Sequence, residues 1–299
     1  MSFDLIEGKP RDLGGFSVRR VLPSLSHRSV GPFVFFDHLG PATLAAGSGG
    51  VQVRPHPHIG LATVTFLFEG ELMHRDSLGS VQAIRPGDIN WMTSGRGIVH
   101  SERSPEPIRD AAQPIHGIQS WVAVPKEHED GDPSFAHHPA ATLPSFALPG
   151  ARITVIAGTA FGHTSPVAVL IPTLYAVADL DAGSTLVLDT KHEERALYVV
   201  EGDVTIDGAP VPTQTMAALT SAADVVIAAG NAARVMLVGG AKLDAPRALE
   251  WNFVASDREA IDAARDDWAA FPNVRFPQVP GETEWIPLPP RPRAEPTVL

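Results

Sequence analysis

One short segment of this chain occurs twice, 132 positions apart. "FLFEGEL" (66–72) and "YVVEGDV" (198–204) each have an aromatic start, two apolar residues, Glu-Gly, an acidic residue and a further apolar residue. Self-similarity at a fixed offset is typical of duplicated structural units. The repeat therefore predicts a duplicated β-domain, with a tight hairpin at the Glu-Gly step of each copy.

The remaining sequence is typical of short strands joined by frequent turns. From about Phe16 to Val124, apolar or alternating segments are separated by turn signals such as "RPGD" (85–88) and "SGRG" (94–97), and the chain contains 26 Gly and 28 Pro. Several short strands at this spacing indicate an antiparallel sandwich or barrel. Strand-like segments resume after residue 150. We therefore predict an all-β fold.

The length of 299 residues exceeds what one core usually holds. A Pro- and His-containing stretch at 125–150 marks a change in composition, so we predict domains at 1–135 and 136–299. The segment 256–271 has helical periodicity, with Ser256 as the expected N-cap and Glu259 at the capping-box position. We expect this short helix to close the C-terminal domain, and the Pro-rich tail 287–296 to be an extended strap or a disordered end.

Composition excludes several classes of function. The formal net charge of −11 argues against direct nucleic-acid binding. The absence of cysteine excludes disulfides, thiolate metal sites and cysteine nucleophiles. The N-terminal residues lack a signal-peptide pattern, and the most apolar long segment, 217–241, is interrupted by Asp224 and Arg234. We therefore expect a cytoplasmic protein without membrane contact. We also expect a monomer, although none of these features addresses the oligomeric state.

Two pairs of polar residues suggest a metal site. His56 and His58 are two apart, as are His100 and Glu102. Side chains two apart on a strand point the same way, so two facing antiparallel strands would bring three imidazoles and one carboxylate together inside a barrel. With 12 histidines in the chain, one such triplet carries little weight, but the two pairs in strand context predict metal ligation. In the repeat register, the first pair aligns with residues 188 and 190, so the site would lie in the first copy.

The ligand types narrow the metal without fixing it. Imidazole and carboxylate ligands without thiolate suit Fe(II), Mn, Co, Ni, Cu or Zn, and disfavour an iron–sulfur cluster. Sites of this kind often leave coordination positions open for reaction. Three histidines and one glutamate would leave two positions of an octahedral iron for substrate and O2.

Other polar residues have roles that the sequence leaves open. Asp76 could accept a hydrogen bond from a metal-bound histidine or could pair with Arg75. Asp37 and His38 are candidates to approach the site from an N-terminal strand. The histidines without a paired partner or strand context are expected to be structural: His116, His128, His137, His138, His163 and His192.

Three segments resemble the signature blocks of the pirin family, within the cupin superfamily: "GPFVFFDHLGP" (31–41), "RPHPHIGLATVTFLFEGELMHRDSLGS" (54–80) and "IRPGDINWMTSGRGIVHSE" (84–102). The resemblance implies two β-barrel cupin domains, with one mononuclear non-haem iron in the N-terminal domain. The ligands that it implies are His56, His58, His100 and Glu102. Many cupins also have a glutamate separated from the second histidine by three or four residues. Here Ala62 and Thr63 stand at these positions, so the carboxylate is left to Glu102.

The resemblance implies two alternative functions. The first is a quercetin 2,3-dioxygenase-like enzyme that opens a flavonol with O2. Its substrate would bind at an Fe(II) site, and Glu102 would be the catalytic base. The second is a non-enzymatic, metal- or redox-responsive regulatory partner of a transcription factor or metabolic enzyme, whose acidic surface would suit a basic protein.

Overall fold

Strands dominate the structure. The computed structural model describes residues 2–12, 16–291 and 297–298, so part of the Pro-rich tail, 292–296, lies outside the described residues. The strands of the first half are β1 (Phe3–Glu7), β2 (Lys9–Asp12), β3 (Ser17–Leu22), β4 (Phe33–Leu44), β5 (Gln52–His58), β6 (Leu61–Glu69), β7 (Leu72–Asp76), β8 (Val81–Ile84), β9 (Ile89–Thr93), β10 (Ile98–Arg103), β11 (Gln113–Ala123), β12 (Ser134–His138) and β13 (Ser145–Leu148).

The second half continues in the same way. Its strands are β14 (Ala151–Ala160), β15 (His163–Thr164), β16 (Thr173–Leu180), β17 (Thr185–Leu188), β18 (Glu194–Glu201), β19 (Val204–Ile206), β20 (Ala209–Val211), β21 (Thr215–Leu219), β22 (Val225–Ala229), β23 (Ala233–Gly240), β24 (Ala248–Glu250), β25 (Phe253–Ala255) and β26 (Thr297–Val298). Two short 3-10 helices lie at Lys126–His128 and Ala140–Thr142, and the α-helix α1 spans Arg258–Ala269. The predicted all-β architecture with one short helix near the C-terminus is confirmed.

The chain forms two compact units, each assembled from separate stretches. Unit 1 comprises Met1–Pro10, Arg19–Phe36 and His138–Leu243, and unit 2 comprises Arg11–Val18, Asp37–His137 and Asp244–Leu299. The division of the chain into domains 1–135 and 136–299 stays a prediction.

Unit 2 contains the strands that carry the predicted ligands. Its four-stranded sheet has the order β5-β10-β7-β8, while β9, β6 and β11 are neighbours in a seven-stranded sheet of order β12-β9-β6-β11-β4-β3-β2. The predicted hairpin at Glu69-Gly70 is wrong, because β6 pairs with β9 and β11 whereas β7 pairs with β8 and β10. The Glu-Gly step instead carries the chain from one sheet to the other. Gly70 has φ 90°, and the backbone of Pro114 lies where a Cβ would be.

The sheet order of unit 1 supports the predicted duplication. Its four-stranded sheet has the order β17-β22-β19-β20, which matches β5-β10-β7-β8 strand by strand. Leu188 pairs with Val225 in β17 and β22, as His56 pairs with His100 in β5 and β10. Leu188 and Val225 are buried in the apolar core of unit 1. Unit 1 therefore has apolar side chains at the positions where unit 2 has imidazoles.

The helix α1 begins one residue later than the sequence predicts. The side chain of Asp257 accepts a hydrogen bond from the Glu259 amide and is the N-cap. The predicted cap, Ser256, donates both its amide and its hydroxyl to the Glu129 carboxylate. No helix in the described residues is both long and apolar enough to cross a membrane.

The apolar face of α1 belongs to a core in unit 2. Ile261, Ala264 and Trp268 are buried in a cluster with Ile59 and Val99. Ile59 directly follows β5 and Val99 lies within β10. The helix therefore packs behind the two strands that carry the histidines.

Candidate metal centre

Two neighbouring antiparallel strands bring the predicted histidines together. In the β5–β10 pairing, His56 lies opposite His100 and His58 opposite Ile98. The three imidazoles are buried, and one nitrogen of each lies within 4.8 Å of the others. The ring centroids are 4.4 to 5.0 Å apart. The alternation of side chains along a strand thus produces the predicted cluster.

Backbone carbonyls fix the orientation of two of the rings. His56 Nδ1 is 2.9 Å from Arg54 O, and His58 Nδ1 is 3.1 Å from Asn252 O. A carbonyl only accepts, so each Nδ1 carries the proton and each Nε2 keeps its lone pair. This is the tautomer that a metal-ligating histidine needs when its other nitrogen is hydrogen-bonded.

Two of the inner nitrogens have no partner in the described part of the chain. His58 Nε2 and His100 Nε2 are buried without a hydrogen bond. Buried polar atoms are nearly always satisfied, so an exception calls for an explanation. A cation between the three rings would satisfy both nitrogens. These residues therefore fit a transition metal.

The protonation state of the three imidazoles is also suited to metal coordination. Burial lowers the pKa of His56 to about 4. The hydrogen bond from Nδ1 to the Arg54 carbonyl acts in the opposite direction but is outweighed. Burial likewise holds the pKa values of His58 and His100 well below the ordinary range, and the neighbouring imidazoles lower them further. All three rings are therefore neutral near pH 7, as metal coordination requires.

Glu102 lies beside the three-histidine group but outside it. A β-bulge separates His100 from Glu102 in the β5–β10 pairing. The half-buried carboxylate accepts a 3.1 Å hydrogen bond from Thr65 Oγ1, a residue of β6 that the sequence analysis missed. Burial raises the pKa of Glu102, although His74 and the Thr65 hydroxyl lower it in part. Ligation of a metal by Glu102 stays a prediction.

Asp76 has His74 as its side-chain partner. His74 Nε2 lies 3.0 Å from Asp76 Oδ2, and His74 Nδ1 lies 3.4 Å from His100 Nδ1. Burial acts to raise the pKa of Asp76, but hydrogen bonds from His74 and Ser80 outweigh it and the net shift is downward. Asp76 therefore bonds neither a predicted ligand nor Arg75 through this contact, but His74 links it to His100.

Other aromatic and imidazole groups fall in different places. His38 Nε2 is 2.9 Å from His116 Nε2, so both belong to a separate buried pair, and His116 has a partner that the sequence did not indicate. Trp121 of β11 makes an edge contact with His58 at 5.1 Å between centroids. No spacing pattern in the sequence points to Trp121, because β11 and β5 belong to different sheets and the contact arises only when these sheets pack against each other.

Comparisons with known proteins identify the family. Residues 15–122 match the family model described as Pirin, and residues 175–274 match the Pirin C-terminal cupin domain. The chain belongs to the pirin family. The three blocks that suggested pirins from sequence lie within the first match. The second match begins in unit 1, the unit with apolar residues at the positions of His56 and His100, and extends through α1.

Several relatives resemble this pirin over most of its length. A pirin-like protein of Caulobacter vibrioides is 45% identical over 289 residues, covering 96% of this chain and 99% of the relative. Pirin of Mus musculus is 30% identical over 268 residues, covering 84% and 85%. A crystal structure of quercetin 2,3-dioxygenase from Acinetobacter baumannii is 34% identical with a TM-score of 0.90, covering 98% of this chain and 96% of the other.

The arrangement permits a specific kind of chemistry. Three neutral imidazole nitrogens converge in a buried place and form a face that can hold one divalent transition metal. A metal held on one side by three ligands keeps other positions for further ligands or a substrate. This pirin therefore has a possible metal site in unit 2.

Proposed function

We propose that this pirin is a metal-dependent dioxygenase that uses Fe(II) and O2 to open a flavonol such as quercetin. The convergence of His56, His58 and His100, with two buried Nε2 atoms lacking partners in the described residues, is the observation that carries the proposal. The similarity to quercetin 2,3-dioxygenase of Acinetobacter baumannii supports the choice of substrate. We also propose a cytoplasmic location, because a chain without cysteine needs no oxidising compartment.

Four residues would hold the metal. The three histidines would supply neutral nitrogen ligands, and Glu102 would supply a carboxylate oxygen, as the pirin resemblance implies. When bound, the metal would lower the pKa of a coordinated hydroxyl and supply one-electron chemistry for the reaction with O2. The residues of the chain would set up the substrate for that reaction.

Glu102 is the residue that we assign to proton transfer. Its carboxylate would take the proton from the flavonol 3-hydroxyl as the general base. Burial raises the pKa of Glu102, which makes its carboxylate a stronger base than an exposed one. The Thr65 hydroxyl lies 3.1 Å from Glu102 Oε1 and 2.7 Å from Gln119 Oε1, so its single proton is shared between two acceptors and leaves the carboxylate free to take a proton.

Burial of the site would serve the reaction in two ways. His58 and His100 are each about 1% exposed, so water has little access to the ligand face. Trp121, itself only 7% exposed, packs edge-to-face against His58 and makes this side of the site aromatic and apolar. The flavonol would consume one O2, and two oxygen atoms would enter the ring-opened ester while one ring carbon leaves as carbon monoxide.

A flavonol assay tests the proposal. Iron-loaded protein incubated aerobically with quercetin is expected to bleach the near-visible absorbance of quercetin and to release carbon monoxide. His56→Ala is expected to lose both the bound metal and the bleaching, while His163→Ala, which removes an exposed imidazole in unit 1, is expected to retain both.

Two results would contradict the proposal. Unchanged turnover in His56→Ala would remove the assigned site. Failure of fully iron-loaded protein to consume any flavonol would reject the dioxygenase and favour the regulatory alternative, in which the metal serves as a switch.

A further inference from the structure

The third ligand histidine is oriented differently from the other two. His56 and His58 each face a backbone carbonyl through Nδ1, whereas His100 Nδ1 faces another imidazole, His74 Nδ1, at 3.4 Å. His74 in turn reaches Asp76 Oδ2 from Nε2 at 3.0 Å. His100 is therefore connected to the Asp76 carboxylate through the ring of His74.

The proton positions in the hydrogen-bonded series His100–His74–Asp76 follow from the groups at its two ends. If His100 Nε2 faces a metal, the proton of His100 lies on Nδ1 and is donated to His74 Nδ1. His74 then carries its own proton on Nε2 and donates it to Asp76. Each ring is thereby held in one tautomer, and the carboxylate at the far end selects both.

The Asp76 end of this hydrogen-bonded series has a fixed position. Asp76 is fully buried, and its Oδ1 accepts the amides of Leu78 and Ser80 at 2.9 and 3.0 Å. The His74 ring stacks on Phe135, with centroids 4.4 Å apart and planes 13° apart. Neither group can rotate freely, so the acceptor presented to His100 has a fixed position.

The repeated unit provides an internal comparison. Ile206 pairs with Ile227 in unit 1, as His74 pairs with Glu102 in unit 2. Both isoleucines are buried in the core of unit 1. The position of His74 is thus polar in the unit that has ligand histidines and apolar in the unit that has leucine and valine in their place.

We propose that His74 and Asp76 are positioning residues for the ligand His100. They fix its tautomer and ring orientation, and Asp76 adds a negative charge near the metal. With Glu102, two carboxylates would offset the charge of a divalent ion. The proposal rests on the metal centre proposed above. Loss of such outer partners typically weakens metal binding 10- to 100-fold.

Two variants separate this role from simple packing. His74→Phe keeps a ring that can stack on Phe135 but offers no acceptor to His100. Asp76→Asn can still accept the amides of Leu78 and Ser80, but its NH2 group would face His74 Nε2 and favour the opposite tautomer along the chain. His137→Phe is the matched control, because His137 bonds Asn90 Oδ1 in the same unit without contact to the ligands.

Cobalt(II) is a suitable probe, because its visible spectrum reports on coordination. Titration of metal-free protein with Co(II) is expected to show affinity about 10- to 100-fold lower in His74→Phe and Asp76→Asn, and unchanged in His137→Phe. Nitrogen-15 NMR of the metal-free forms is expected to show the His100 proton on Nδ1 in the wild type and redistributed toward Nε2 in both variants. Thermal unfolding of the metal-free forms measures any general loss of stability.

The outcomes are distinct. Wild-type Co(II) affinity in both variants, or an unchanged His100 tautomer, would overturn the proposal. A loss of affinity that follows the loss of metal-free stability, and that also occurs in His137→Phe, would make the role structural and overturn it too. Weakened Co(II) binding with shifted tautomer supports the proposal even if iron-loaded wild type consumes no flavonol, a result that would reject only the dioxygenase.

Discussion

Ser101 donates its hydroxyl to Glu282 Oε1 at 2.7 Å, although 181 residues separate them in the chain. Arg103 binds the same carboxylate through Nε and Nη2 at 3.0 and 2.7 Å. Ser101 and Arg103 alternate along β10 with His100 and Glu102. The C-terminal segment therefore holds the side of β10 that faces away from the predicted ligands.

Removal of this carboxylate should destabilise unit 2. Glu282→Ala removes the acceptor of Ser101 and two hydrogen bonds of the mostly buried Arg103, and we expect a loss of about 2 kcal/mol in the free energy of unfolding. Glu284→Ala removes the more exposed partner of Arg103 and should cost below about 1 kcal/mol. Urea unfolding of both variants checks this, and equal losses would show that Glu282 does not hold the strand.

A glycine next to the strand that carries His56 and His58 should be intolerant of a side chain. Gly60 has φ +68°, and Val254 O lies where a Cβ would be. The same segment supplies Asn252 O to His58. Gly60→Ala is expected to cost about 3 kcal/mol and to weaken Co(II) binding, because the segment must move.

Gly208 provides the matched control for this prediction. It has φ +80°, and its Cβ would meet none of the described atoms within 4 Å. Gly208→Ala should therefore cost only about 1 kcal/mol of backbone strain and leave Co(II) binding unchanged. Equal effects of the two substitutions on stability and metal affinity would contradict the role assigned to the Asn252 segment.

Acid should destabilise the metal-free protein through its buried imidazoles. In the unfolded chain His56 titrates near its ordinary pKa of 6.5, whereas burial lowers its pKa in the folded protein to about 4. The unfolded state therefore binds more protons between these values, and folding stability should fall as the pH decreases from 6.5 toward 4. Urea midpoints at pH 7.5 and pH 5 are expected to show this fall, and the fall should be smaller in His56→Gln. An identical fall in both proteins would rule out this cause.

One metal ion per chain is expected, because unit 1 has apolar residues at the equivalent position. Leu188→Ala should reduce the free energy of unfolding by about 2 to 5 kcal/mol through a cavity in the core of unit 1, and should leave metal content unchanged. His56→Ala at the matching position of unit 2 should lose the metal. Elemental analysis of both variants checks this pair, and two ions per chain would contradict it.

The sequence was sufficient to predict the parts of the site that depend on local geometry. The spacing of His56 and His58 on one strand and of His100 on another places them on one side of a sheet, and the structure brings all three together. The position of Leu188 followed from the repeat, and the register of its strand agrees.

The sequence could not predict contacts that depend on long-range packing. Asn252 O reaches His58 from 194 residues away, and Glu282 reaches Ser101 from 181 residues away. The error at Gly70 has a related cause. A Glu-Gly turn between two strands looks the same whether the strands pair or enter opposite sheets, and only the neighbours of β6 and β7 distinguish the two cases.

The central claim is that His56, His58 and His100 hold one transition metal. Anomalous diffraction at the iron absorption edge, from crystals of protein loaded anaerobically with Fe(II), tests it most directly. A single peak within coordination distance of the three Nε2 atoms, with a Glu102 oxygen also bound, is the expected result. A peak elsewhere in the chain, or none at full iron loading, would contradict the account.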